Sequence, residues 1–172
     1  MIRLHKIASR RAGMVLLATS LLASPVAATP GGGFAPSPVV TGHYGKLNLN
    51  TADDKTGKWG MILKTLDLTD VGVDKLTVQP SGTSGWHAHP SSVFITVTSG
   101  TIMWYDGSDP LCTAHSYTAG QSFIETAYTP HNVRNASSTA TAEFYATTLK
   151  PAGFVGPSFR IDVSPRPNNC GS

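Results

Sequence analysis

The sequence predicts an all-β protein, and three observations predict it. Short runs of β-branched and aromatic residues alternate with turn-forming clusters at close spacing. Outside the N-terminus no long stretch repeats its apolar residues with a helical period. Charged residues are only 13% of the chain, so Ser and Thr supply much of the polarity. A chain of this kind buries its apolar faces as a barrel or a sandwich.

The first 28 residues stand apart from that pattern. Arg3, Lys6, Arg10 and Arg11 form a basic head, an apolar run follows over 12–23, and Pro25 with the small residues Val26, Ala27 and Ala28 closes the segment. That order is expected of a secretory signal peptide spanning residues 1–28. The apolar run is shorter than the roughly 18 residues wanted for a membrane span. Arg10-Arg11 after Ser9 also gives the segment twin-arginine character, with Gly13 standing where a bulky apolar residue belongs to that pattern. An exported protein, periplasmic or extracellular, is the expectation.

Export changes the charge balance. Four of the thirteen Lys and Arg lie in residues 1–28 and none of the ten Asp and Glu do, which leaves a formal charge of −1 on the rest. The pI near 9.0 therefore belongs to the leader. Neither nucleic acid nor, once the leader is gone, a membrane is expected as a partner. The two cysteines, Cys112 and Cys170, would meet an oxidising compartment, and a structural disulfide tying down the C-terminal tail is the natural reading.

Residues 29–57 are rich in Gly, Pro, Ser, Thr and Asn and read as a flexible N-terminal segment, a mobile lead-in or an edge segment. Residues 58–172 then make one barrel domain with its C-terminal tail. Strands are expected at 61–66, 75–79, 93–99, 101–106, 121–126, 141–149 and 159–163. Gly82-Thr83-Ser84-Gly85, Asp106-Gly107-Ser108-Asp109-Pro110 and Ala119-Gly120 supply turns between them.

The chemistry-bearing residues cluster in two stretches. In Gly82-Thr83-Ser84-Gly85-Trp86-His87-Ala88-His89-Pro90, residues two apart on a strand face the same way, so His87 and His89 present both imidazoles to one place. About forty residues later, Gly120 to Asn135 adds His131. Three imidazoles suit Mn, Fe, Zn, Cu or Ni and leave coordination positions open.

Both stretches resemble the two motifs of the cupin superfamily, in order. Gly82, His87, His89 and Gly100 match the first, and Gly120, His131 and Asn135 match the second. The resemblance covers residues 82–135 and implies a cupin double-stranded β-helix, a jelly-roll barrel with a metal at its wide end held by His87, His89 and His131. It also carries a homodimer as the family default. Two departures stand out. Val93 occupies the place of the family's usual metal-binding Glu, and Thr126-Ala127-Tyr128 replaces its Pro-x-Gly turn. Three-histidine sites without that Glu occur in the family, in acetylacetone and cysteine dioxygenases for example.

Val93 alternates with Phe94 and so lies on one apolar face with Ile95 and Val97. A neutral ligand set beside an apolar wall would favour an anion as the further ligand. Glu125 is the one carboxylate inside the second motif and shares a face with Phe123. Three roles are open to it: fourth ligand, catalytic acid or base with a raised pKa, or exposed strand-end carboxylate. His43 and His115 have no partner at ligand spacing and read as surface residues.

The expected function is metal-dependent chemistry on a small organic molecule, with dioxygenase-like or other redox conversion ahead of isomerase or lyase chemistry. The alternative is a non-catalytic module that binds a metal or a small ligand. Fold alone does not choose between them.

Overall fold

The computed structural model describes residues 31–51, 59–154, 159–164, 167 and 169–170. The expected signal segment lies outside them, as do residues 29–30 and 52–57 of the N-terminal segment. The described residues form β1 (Gly32–Tyr44), β2 (Asn48–Asn50), β3 (Ile62–Lys64), β4 (Thr69–Thr83), β5 (His87–Ala88), β6 (Val93–Ser99), β7 (Thr101–Asp106), β8 (Ala114–Thr118), β9 (Ser122–Glu125), β10 (His131–Asn135), β11 (Ala142–Pro151) and β12 (Ile161–Asp162). No helix occurs among them.

Ten strands make one antiparallel sheet in the order β12-β5-β10-β4-β11-β6-β9, with β1 added to β4 and β7 joining β10 to β8. The sheet curls into an almost closed barrel, the all-β double-stranded β-helix that the motifs implied. β2 and β3 pair separately as a small hairpin.

Alternation decides which face is inside. In β6, Val93, Ile95 and Val97 are buried while Phe94, Thr96 and Thr98 are exposed. β11 turns Ala142, Phe144, Ala146 and Thr148 inward, and β9 turns Phe123 and Glu125 inward. These faces meet Leu76, Val78, Ile102 and Val133 in a single core. Burying one such aliphatic or aromatic side chain is worth about 1.5–3 kcal/mol.

The N-terminal segment takes the edge-strand form of its expectation over Gly32–Tyr44. β1 pairs with β4 along its length, from Gly32 opposite Thr83 to Tyr44 opposite Thr69. Pro36 and Pro38 fit there because an edge strand has one unpaired side. β4 itself runs well beyond the expected 75–79. Asp70, Gly72 and Asp74 interrupt its apolar alternation in sequence, yet Asp70 is buried with partners: His43 Nδ1 donates to one carboxylate oxygen at 2.7 Å and the Gly153 amide to the other at 3.0 Å.

The disulfide joins Cys112 to Cys170 across 58 positions, with a Cα–Cα distance of 5.2 Å. It fixes the tail to the loop after β7, where the Asn169 side chain also donates to the Asp109 carbonyl.

Candidate metal centre

β5 and β10 lie side by side, and His87 is paired directly with His131. His89 follows β5 immediately, so the first two rings come from one short strand and the third from its neighbour. All three residues are buried, and their candidate ligand nitrogens lie within 4.8 Å of one another. Ring centroids are 4.3 Å apart for His87 and His131, 4.9 Å for His87 and His89, and 5.2 Å for His89 and His131.

The outer nitrogen of every ring is fixed by the backbone. Nδ1 meets the Gly85 carbonyl at 2.9 Å in His87, the Phe159 carbonyl at 3.1 Å in His89, and the Thr129 carbonyl at 2.8 Å in His131. A carbonyl has no proton to give, so each Nδ1 carries the hydrogen and donates it. In the neutral ring that leaves Nε2 as a bare lone pair. Nε2 of His131 is fully buried and has no hydrogen-bond partner. Lone pairs with this support are what a divalent cation needs, and the donor set fits the metal that the motifs imply.

Glu125 lies against two of the three rings. Its residue is 3% exposed, and Oε2 lies 3.4 Å from Nε2 of both His89 and His131. Burial alone would raise its pKa, but the facing His131 and His89 imidazoles outweigh that and hold it well below the usual carboxylate range. The His131 ring responds in the opposite sense. Burial pulls its pKa down, the Glu125 carboxylate pulls it up, and the net value lies above the ordinary one. His87 is pushed down to about 3, first by burial and then by the proximity of His131 and Arg160.

These positions settle several expectations. The three histidines converge, as the strand spacing and the motifs implied. Glu125 faces inward, which removes the exposed strand-end role, and its pKa moves down where the acid–base role expected it to rise. Val93 is buried on the cavity wall at 2% exposure, but the wall beside it is not uncharged, because Glu125 is its direct cross-strand partner. His43 and His115 lie away from the cluster; His43 has a 76% exposed side chain held by Asp70, and His115 packs beside Trp104 on β8.

The turn that replaces Pro-x-Gly is also resolved. Tyr128 stands in the Gly position of that motif and adopts φ of 58°, the left-handed conformation that Gly takes at low cost. Its amide donates to the His89 carbonyl at 2.8 Å, which joins the two histidine-bearing stretches. Gly100 in the first motif also has positive φ, 71°, and a Cβ there would meet the Ala142 Cβ at 2.8 Å.

Sequence alone assigns no role to Arg160. It lines the same small cavity of about 40 Å³ with His87, His89, Val93 and Glu125, and its side chain is 20% exposed. Its only sequence signal was a cation inside the strand expected at 159–163.

The cupin domain family model matches residues 75–148. No functionally curated protein matches the chain. Among solved structures, a conserved protein of unknown function from Streptococcus pyogenes shares 17% identity, with 47% of this chain and 65% of that one covered, at a TM-score of 0.39. The chain thus spans less than two thirds of that protein. A cupin domain from Bordetella pertussis shares 20% identity, with 71% of this chain and 96% of that one covered, at a TM-score of 0.44. The polyketide cyclase RemF from Streptomyces resistomycificus shares 12% identity, with 86% and 90% covered, at a TM-score of 0.46. With both motifs in place on the barrel and the family model spanning them, residues 75–148 match a cupin domain.

Proposed function

We propose that this protein is an exported cupin that binds a divalent metal through His87, His89 and His131 and acts on a small organic molecule, with oxygenation or another redox conversion as the leading chemistry. The observation that carries the reading is the convergence of three buried imidazoles, each with its Nδ1 hydrogen committed to a backbone carbonyl.

A bound metal would supply Lewis acidity and a position at which water, dioxygen or a chelating substrate is activated. The chain's own residues do the rest. The carbonyls of Gly85, Thr129 and Phe159 hold the rings in one tautomer and one orientation. Phe34, Val93 and Ile95 supply the apolar part of the cavity wall. Arg160, whose Nε is paired with Asp162, brings a cation to the lining of that cavity.

The size of the cavity favours a second reading. A volume of about 40 Å³ accommodates an ion and a water-sized ligand but no organic substrate, which would have to sit at the mouth beside Arg160. A non-catalytic module that holds a metal or small ligand needs no more room than that.

Metal analysis of untagged native protein tests the shared part of both readings. About one equivalent of divalent metal per chain is expected, the content of one three-histidine site. Only traces of metal would leave a barrel with vestigial histidines. Oxygen uptake and product formation against diketones, flavonols, thiols and sugar acids then divide enzyme from binder, and a loaded protein inert to all of them supports the binder. Export and a homodimer belong to the same proposal. The disulfide is compatible with export, and no helix among the described residues is long and apolar enough to cross a membrane. Sedimentation of the mature protein tests the dimer.

A further inference from the structure

The first motif lacks its acidic member at Val93, and the register of the barrel shows where a carboxylate has gone instead. β6 and β9 are antiparallel neighbours, and Val93 is paired directly with Glu125. Directly opposed residues on one face of such a pair have Cβ atoms about 4.5–5.5 Å apart. A long side chain at either position therefore reaches the same space. Both residues point inward and both line the cavity that holds His87 and His89.

We propose that Glu125 is the fourth metal ligand, a carboxylate relocated across the β6–β9 pair from the position that Val93 occupies. The inference rests on the metal-binding reading and adds a negatively charged oxygen to its three neutral nitrogens.

Two observations carry it. The first is electrostatic. Nδ1 of His89 and of His131 already donates to a carbonyl, so in the neutral rings Nε2 offers only a lone pair. Oε2 of Glu125 faces both of these lone pairs at 3.4 Å. Lone pairs and an anionic oxygen gathered in a buried space repel unless positive charge stands among them. A proton on the His131 ring supplies it in the metal-free site, and a cation shared by all of them would take that proton's place.

The second observation is the spacing. Two ligand atoms that each lie roughly 2.1 Å from a tetrahedral ion are separated by about 3.4 Å. Both Glu125 distances have that value. A direct charge-assisted hydrogen bond would draw the atoms closer, to about 2.7–2.9 Å. Both separations fit two ligands on one ion, and Glu125 would join the group of three histidines by a small movement toward His87.

The relocation has a consequence for charge. Three imidazoles leave a divalent ion with its full charge, whereas Glu125 halves it. An additional anionic ligand is then less strongly demanded than the three histidines alone would require.

The test uses the mature protein loaded with Co(II), whose visible absorption reports its ligand set, and chelator competition for affinity. Glu125→Gln is expected to weaken binding by more than the roughly 10- to 100-fold that loss of an outer-shell partner costs, and to change the absorption spectrum. The double exchange Val93→Glu with Glu125→Val returns the carboxylate to β6 and is expected to recover the affinity. It also provides the decisive variant if Glu125→Gln fails to fold. Unchanged affinity and spectrum in Glu125→Gln would overturn the proposal, and so would lower affinity with an unchanged spectrum, because Glu125 would then act from outside the ligand shell. A double exchange that folds but stays as weak as Glu125→Gln would overturn the relocation. If the unaltered protein takes up no Co(II), the metal-binding reading itself falls; in every other outcome that reading stands.

Discussion

Strand β10 buries a polar residue at each end, and the two ends are treated differently. Asn135 has its hydrogen bonds met within the chain. Its amide donates to the carbonyls of Val78, Gln79 and Ala140, and its oxygen accepts from the Ser137 amide. His131, four residues earlier, has one nitrogen satisfied and the other bare, facing Glu125. Buried polar groups are nearly always paired. The satisfied one therefore belongs to the fold, and the bare one marks the place where the fold expects something else.

That contrast can be broken at either end. The largest effect is expected from His131→Ala, which removes one of three imidazoles. Metal content should fall to background while the barrel stays folded, as read by metal analysis and circular dichroism. Asn135→Ala should do the reverse. It leaves buried carbonyls without donors, each worth about 1–3 kcal/mol, so the denaturation midpoint should fall while metal content per folded chain is retained.

Asp70 sharpens the comparison, being a buried charge whose partners are all internal. His43 first, and then the Gly153 amide, hold its carboxyl below the usual range. A depressed carboxylate contributes stability above its unfolded-chain pKa and loses it as pH falls through the lower folded value. Asp70→Asn is expected to flatten the acid limb of the stability–pH curve, measured by thermal unfolding between neutral pH and pH 3. The smallest effect belongs to Tyr128. Left-handed backbone costs a residue with a Cβ about 1–2 kcal/mol, and Gly returns about 0.5–1 kcal/mol of that as lost chain entropy. Tyr128→Gly should raise the melting temperature slightly.

Much of this contrast was legible in the sequence. The period of two placed His87 and His89 together, set Val93 on an apolar face and aligned Glu125 with Phe123, and the spacing of the two motifs brought in His131. Side-chain periodicity carries that information directly. What it could not carry was the pairing of strands far apart in the chain. Residues 100–121 lie between β6 and β9, so nothing local announced that Val93 and Glu125 are opposite each other. The supports of the imidazoles were hidden for a different reason, because they are backbone carbonyls and every residue has one. β8 and β10 were not expected as strands, since Ser, His and Asn dilute their apolar alternation. In β4, Asp70 and Asp74 had the same effect.

The crosslink between Cys112 and Cys170 bears on more than the tail it closes. The same C-terminal stretch delivers the Phe159 carbonyl to His89 and Arg160 to the cavity, and β12 lies against β5 at His87. On the proposed metal-binding reading, ion retention would depend on the thiol poise of the surroundings. Where glutathione keeps cysteines reduced, the stretch loses its clasp, and only the β12–β5 pairing then holds the Phe159 carbonyl near His89. A Cys170→Ser variant, or native protein under dithiothreitol, should surrender its ion to a chelator faster than the oxidised form.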